Sequence, residues 1–339
     1  MVSQEPLLNE LVLYLGRFRA QLQKEPDKTH ELRFSRDNLR ACRAAFDRMI
    51  IRGEESLHRL CELLCTSFAG ECHLQSVVIG EVPTTGERFT LSQLISRQDL
   101  YSTFDLDLGS RQLKKLQYFD GSAWIGPQLV ANVVEYQPSE PNRFGVHKII
   151  SRIKAEEEIW NKVVDEIFGL DALVKRDKQL RHLSKYVKDI FGVKVVVGST
   201  SEAERLHAAI ESMEWDAATL KRLGLPLSEQ TERVSVVETK SYVRDSEKES
   251  GWGAIKSVVL WHGKMFEIQL QPLGNFWKER EHLTRESHAG FKSRREQVRQ
   301  KVAAQVPLFG FYQALLKWLF QDPEGMAPVF PGVSVSVAE

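Results

Sequence analysis

The stretch 254-AIKSVVLWHGKMFEIQLQP-272 decides the fold. It holds two adjacent strand-like runs, 254–262 and 265–271. Side chains alternate along a strand, so Glu267 and Gln269 share one face while Phe266, Ile268 and Leu270 share the other. A carboxylate in the middle of an apolar strand requires a cation, a metal or a proton. A Gly-Trp-Gly turn at 251–253, rich in basic neighbours, precedes the first run. Together these features point to a carboxylate, metal and phosphate site.

Outward from this stretch, apolar periodicity predicts helices over 152–168, 175–188 and 201–213, strands over 192–198 and 233–240, and helices over 275–287, 290–305 and 308–320. Alternation of helices and strands passing into two adjacent strands predicts an α+β fold, a mixed β-sheet flanked by helices. Residues 1–70 read as helical, with Leu7, Leu8, Leu11, Leu15 and Phe18 at helical spacing. Residues 74–138 break into short β-favouring pieces, among them 122-SAWIG-126, for which no chemistry is assigned. The segment 137-QPSEPNRFG-145 reads as a linker. The expected organisation is an N-terminal extension at 1–140, helical then β-rich, a domain at 141–306, and a C-terminal helix with a loose tail at 307–339.

Hydrophobic residues make up 42% of the 339 and charged residues 27%, ordinary for a globular protein. The formal net charge is zero, which excludes a globally basic nucleic-acid binder. No apolar run reaches membrane-spanning length, so no membrane partner is expected. The N-terminus has neither a basic leader nor a small-residue cleavage site, and a cytoplasmic protein is the expectation.

All four cysteines lie in the first 72 residues. His58, Cys61 and Cys65 recur at helical spacing, with Cys72 and His73 close by. This pattern reads either as a zinc site or as small apolar residues on one buried helix face.

Two further segments carry candidate chemistry. In 151-SRIKAEEEIWNKVVDEIFG-169, Ile159, Val163 and Ile167 form an apolar stripe. Lys154, Glu158 and Lys162 occupy another flank, with Arg152 in the expected first turn. Such cations suit a polyphosphate, although a solvated helix face has the same pattern. In 185-KYVKDIFGVKVVVG-198, Asp189 stands where a helix gives way to a strand. Two carboxylates at strand ends, Asp189 and Glu267, would suit a hydrated Mg²⁺ that also meets substrate phosphates.

In order and spacing these pieces resemble the synthetase domain of RelA/SpoT-type (p)ppGpp synthetases, a nucleotidyltransferase-like fold, over about residues 145–295. RIKAEEEIWNK resembles the family's Arg-x-Lys…Ser-Ile-x-x-Lys motif, with Glu158 in place of its Ser. KDIFGVK is similar to Asp-x-x-Gly-x-Arg, with Lys194 in place of its Arg. KESGWGAIK resembles Lys-x-Asn-Gly-Tyr-x-Ser-x-His, with Ser250, Trp252, Ala254 and Lys256 at the altered positions. FEIQLQP resembles Glu-Ile-Gln-Ile-Arg-Thr, with Gln271 and Pro272 replacing the last two. RESHAGFK, holding Glu286, His288 and Lys292, echoes the family's following helix.

The resemblance implies an ATP-dependent pyrophosphokinase acting on the 3′-hydroxyl of GDP or GTP, the alarmone chemistry of the stringent response. Arg152, Lys154 and Lys162 would bind the ATP phosphates. Asp189 and Glu267 would hold Mg²⁺, Glu267 with Gln269 would serve catalysis, and Lys248, Trp252 and Lys256 would meet the acceptor. The changes at 250–256 leave two alternatives open: another acceptor, such as an adenine nucleotide or the tRNA 3′ end, or an inactive binding module. Lys292, Arg294, Arg295, Arg299 and Lys301 could approach a nucleic-acid backbone or simply face water. No His-Asp hydrolase motif accompanies His30, His58 or His73.

Overall fold

The computed structural model describes residues 2–119, 121–169, 189–243, 253–285, 300, 302–304 and 306–338. The expected helix at 175–188, most of that at 290–305, and Lys248, Ser250, Trp252, Glu286, His288 and Lys292 lie outside the described residues, as do the cations Arg294, Arg295, Arg299 and Lys301.

The chain divides into two units. One comprises Ile51–Ile153 and Lys188–Ser287; the other comprises Met1–Ile50, Lys154–Val187 and His288–Glu339.

The first unit is built on an eight-stranded sheet. In chain order its strands are β2 (Cys72–Glu81), β3 (Arg88–Leu94), β6 (Gln128–Pro138), β7 (Val146–Ile153), β8 (Phe191–Val197), β9 (Ser235–Ser241), β10 (Ile255–Trp261) and β11 (Lys264–Pro272). β1 (His30–Ser35) and β12 (Val333–Ala338) lie in the other unit, and β4 (Tyr118–Phe119) pairs with β5 (Trp124–Ile125). The sheet order is β3-β2-β6-β7-β8-β11-β10-β9. Only β8 and β11 run parallel; all other neighbours are antiparallel. The sheet is therefore mixed, as expected. A parallel pair needs a long crossover, and the helix Thr200–Ser212 within it packs against β8, β10 and β11 through Ala203, Leu206 and Ile210.

Alternation sorts the central strands. Phe191, Val193, Val195, Phe266, Ile268, Leu270, Ile255 and Val259 are buried on the helix-covered face. Phe191 also meets the helix Arg36–Leu64, where a Cβ placed on Gly53 would lie 1.8 Å from the Phe191 ring tip. β10 and β11 are joined through His262 and Gly263, with φ of 47° and 69°. Positive φ at both positions is the type I′ geometry that matches strand twist.

In the second unit, the helix Pro6–Lys24 buries Leu8, Leu11, Leu15 and Phe18. Trp160 stacks on Phe320 with centroids 3.8 Å apart, and the Tyr312 hydroxyl donates to the Leu15 carbonyl at 2.8 Å. β1 and β12 pair in parallel from His30↔Val333 to Ser35↔Ala338.

Four expectations change. Residues 146–153 form β7, so Arg152 is a strand residue and the helix begins only at Glu156. The tail expected to be loose contains β12. The 137–145 segment spans the end of β6 and the connection to β7. Finally, β2, β3 and β6, expected in a separate extension, belong to the same sheet as β7 to β11, because β6 pairs directly with β7 from Val134↔Ser151 to Tyr136↔Ile149.

Candidate functional site

The face of the sheet opposite the helix Thr200–Ser212 carries the charged residues. Register sets them in two rows. Arg152 on β7 lies opposite Gly192 on β8, which lies opposite Glu267 on β11. One step along, Lys194, Gln269, Lys256 and Lys240 stand opposite one another on β8, β11, β10 and β9. Strands are about 4.8 Å apart, so Arg152 and Glu267 begin about 10 Å apart at their Cα atoms. Gly192 has no side chain to fill the gap, and Arg152 leans over it: its Nε lies 4.0 Å from where a Cβ on Gly192 would sit.

Glu267 is 3% exposed. Its charge is met by Lys256, whose ammonium pairs with Oε2, while the Gln269 amide donates to Oε1. The cation required by a buried strand carboxylate is thus supplied by the next strand. Gln269, expected as a polar support for Glu267, does contact it, and Lys256, expected toward an acceptor, is held on the same carboxylate.

A second charged group adjoins the first. Lys194 Nζ pairs with Glu279 Oε2 at 2.7 Å, and the fully buried Gln271 donates to the same oxygen at 2.9 Å. Burial pushes the Lys194 ammonium below its ordinary pKa, against the pull of Glu279, and the positive charge of Arg152 adds to the depression. Lys148 pairs with Glu135 at 2.6 Å, and Lys148 and Lys194 both lie over the Phe276 ring, at 5.5 and 5.8 Å from its centroid. Glu279, Glu135 and Lys148 had escaped the sequence reading. Glu279 lies eight residues beyond Gln271, on the helix Leu273–Arg285, which follows β11 directly after Pro272.

Asp189 is half-buried, two residues before β8. Asp189 lies outside the paired register of β8 and β11, and Glu267 is engaged by Lys256. An aspartate beside the charged row is the kind of oxygen donor that suits Mg²⁺. Lys154 and Lys162 belong to the other unit, Lys154 just before the helix Glu156–Ile167 and Lys162 within it.

The cysteine–histidine pattern, open between a zinc site and a buried helix face, places Cys61 and Cys65 in the core. His73 Nε2 contacts Ser139 Oγ at 3.1 Å, whereas His58 Nε2 faces Asp105 Oδ1 at 3.2 Å. Cys61 is buried and Cys65 is hydrogen-bonded with Cys72. Burial pushes the Cys61 thiol up; the contact with Cys72, then burial, does the same to Cys65.

No protein-family profile and no curated protein matches the chain. Among solved structures it is similar to the small alarmone synthetase 1 from Bacillus subtilis bound to its product pppGpp. That likeness has 16% identity and a TM-score of 0.27 over 50% of this chain and 81% of that one. A second structure of the small alarmone synthetase 1 from Bacillus subtilis gives 18% identity and a TM-score of 0.28, over 53% of this chain and 77% of that one. At these values the likeness carries no weight for the chemistry, which stands on the residues above. No helix among the described residues is long and apolar enough to cross a membrane.

Proposed function

We propose that the chain is an ATP-dependent pyrophosphokinase that transfers a pyrophosphoryl group to the hydroxyl of a nucleotide acceptor, GDP or GTP. The observation that carries this reading is Glu267: a carboxylate buried on the central strand, with Arg152 leaning toward it across Gly192 and Lys256 and Gln269 on its two oxygens. Phosphoryl-group transfer is mainly positioning and charge neutralisation. Arg152 supplies a forked donor to the transferred phosphates. Glu267, once released from Lys256, accepts the proton of the attacking hydroxyl, and Lys256 then faces the charge that builds on the phosphates. The acceptor oxygen bonds to the β-phosphorus, the bond to the oxygen bridging the α- and β-phosphates breaks, and AMP leaves.

ATP would arrive as its Mg²⁺ complex, the ion lowering the charge of the phosphates, and Asp189 is the carboxylate assigned to it. The roles of Lys154 and Lys162 at the phosphates, and of Lys248 and Trp252 at the acceptor, rest on the sequence resemblance alone.

One observation favours a second reading. The pairs Lys256–Glu267 and Lys194–Glu279 match charges internally, as a binding module without catalysis would. The two readings separate in one assay: purified protein with Mg²⁺, γ-³²P-ATP and, in separate reactions, GDP, GTP, ADP or deacylated tRNA. Label on GDP or GTP, lost in Glu267→Gln, is the expected result. Label on ADP or tRNA moves the acceptor assignment. The absence of label on every acceptor rejects the enzymatic reading and leaves the module.

A further inference from the structure

Away from this face, three side chains converge inside the same unit. Glu54 and His58 are one helical turn apart on Arg36–Leu64, so they project together. Asp105 opens the helix Asp105–Leu113. Their exposures are 6%, 1% and 2%, and one donor atom from each lies within 4.8 Å of the others. It is the one such group of His, Cys, Asp and Glu among the described residues.

The surroundings hold these groups as ligands are held. Tyr136 Oη contacts His58 Nδ1 at 2.9 Å, which turns Nε2 toward the carboxylates. A metal-binding imidazole is commonly oriented in this way through its other nitrogen. The Asp105 backbone N–H, unpaired within its own helix because it lies in the first turn, donates to Glu54 Oε1 at 2.9 Å. Asn132 donates to the Asp105 carbonyl and is itself fixed by Ser76 Oγ at 2.9 Å. The second carboxylate oxygen of Asp105, Oδ2, is buried with no hydrogen-bond partner. An orphaned carboxylate oxygen at this depth is costly unless a cation or proton meets it.

We propose that Glu54, His58 and Asp105 bind a first-row divalent metal ion, of the Zn²⁺ or Mn²⁺ class, as a structural site. One imidazole and two carboxylates disfavour Mg²⁺ and Ca²⁺, which prefer all-oxygen sets, and suit a borderline ion. Two carboxylates and a neutral imidazole balance a dication, so the group becomes electrically neutral where water is excluded. Bonds of about 2.1 Å at tetrahedral angles place ligands about 3.4 Å apart, so donor atoms within 4.8 Å of one another need close by at most about 1.4 Å. The ion would tie the helix Arg36–Leu64 to the segment entering Asp105–Leu113, and through Tyr136 to β6. The site is independent of the pyrophosphokinase reading.

The test uses the full-length protein, stripped with a chelator and dialysed. One equivalent of Zn²⁺ should remain per chain after gel filtration, measured by elemental analysis, and should raise Tm by several degrees. Co²⁺ in its place should give a visible d–d band, a readout on the wild type that requires no variant to fold. His58→Gln and Glu54→Gln should each weaken uptake at least 100-fold, while His73→Gln and Cys72→Ser should leave it unchanged. The proposal is overturned if the stripped wild type takes up no Zn²⁺ or Co²⁺ in tenfold excess with Tm unmoved. It is equally overturned if uptake survives His58→Gln but is lost in Cys72→Ser, since the ion would then sit at the thiols.

Discussion

Glu267 and Lys256 divide a role that the sequence stretch leaves undivided. Glu267 is buried while the Lys256 side chain is one-third exposed, so removing Lys256 leaves an uncompensated buried carboxylate at a cost below the ~3–5 kcal/mol of a fully buried pair, whereas removing both costs far less. Lys256→Met alone should therefore lower the urea midpoint sharply, and Lys256→Met with Glu267→Gln should recover most of the loss. Additive losses would show that the two do not interact. Lys194 offers a test by pH. Its folded pKa lies below 10.5 because of burial. Between the folded value and 10.5 the unfolded chain keeps a proton that the folded chain has released, so stability rises with pH as the window is crossed. A denaturation series approaching pH 10.5 should show that rise in the wild type and not in Lys194→Met, made together with Glu279→Gln so that no carboxylate is orphaned.

At the scale of elements, Gly53 sits inside a helix, where glycine costs about 1 kcal/mol relative to alanine. Propensity alone would make Gly53→Ala stabilising. The Phe191 ring tip, 1.8 Å from the would-be Cβ, opposes it, and overpacking a filled core costs about 1–3 kcal/mol. Gly53→Ala should therefore lower Tm, and Phe191→Leu in the same chain should give part of it back; a rise in Tm would show that the ring yields freely. The elements differ in how openly the sequence displays them. β8, β10 and β11 were legible within one or two residues, because their apolar runs are bounded by glycine or proline. β7 was not, since the strong 3.6 periodicity of Ile159, Val163 and Ile167 drew the expected helix start back to Arg152. β12 was missed: the Val-Ser alternation of 333–337 is short, and only a partner thirty residues from the other end of the chain, β1, makes it a strand. Of the site, the Glu267–Gln269 contact was readable from period two, whereas its pairing with Lys256 needed the register of β10. His58 stood out only beside the cysteines, Glu54 did not, and Asp105 comes from a distant segment that no local pattern connects to them.

For the whole molecule, the sheet decides which pieces of chain can stand alone. The site looks local to 152–279, yet β7 is an interior strand: β6 pairs with one edge and β8 with the other. Behind β6 lie β2 and β3, all encoded before residue 140. A fragment of residues 141–306 would retain Arg152, Lys256 and Glu267 but would expose the edge of β7 that β6 covers at Ile149, Ile150 and Ser151, a row of backbone groups prone to association. It would also lose Gly53 and the helix that covers Phe191. That fragment should be insoluble or lack a cooperative melt, while a chain of residues 51–287, which holds every strand of the sheet, should remain folded by circular dichroism. A soluble 141–306 fragment melting near the full-length protein would mean that β2, β3 and β6 are an appendage to the site-bearing strands and not part of what holds Arg152 opposite Gly192.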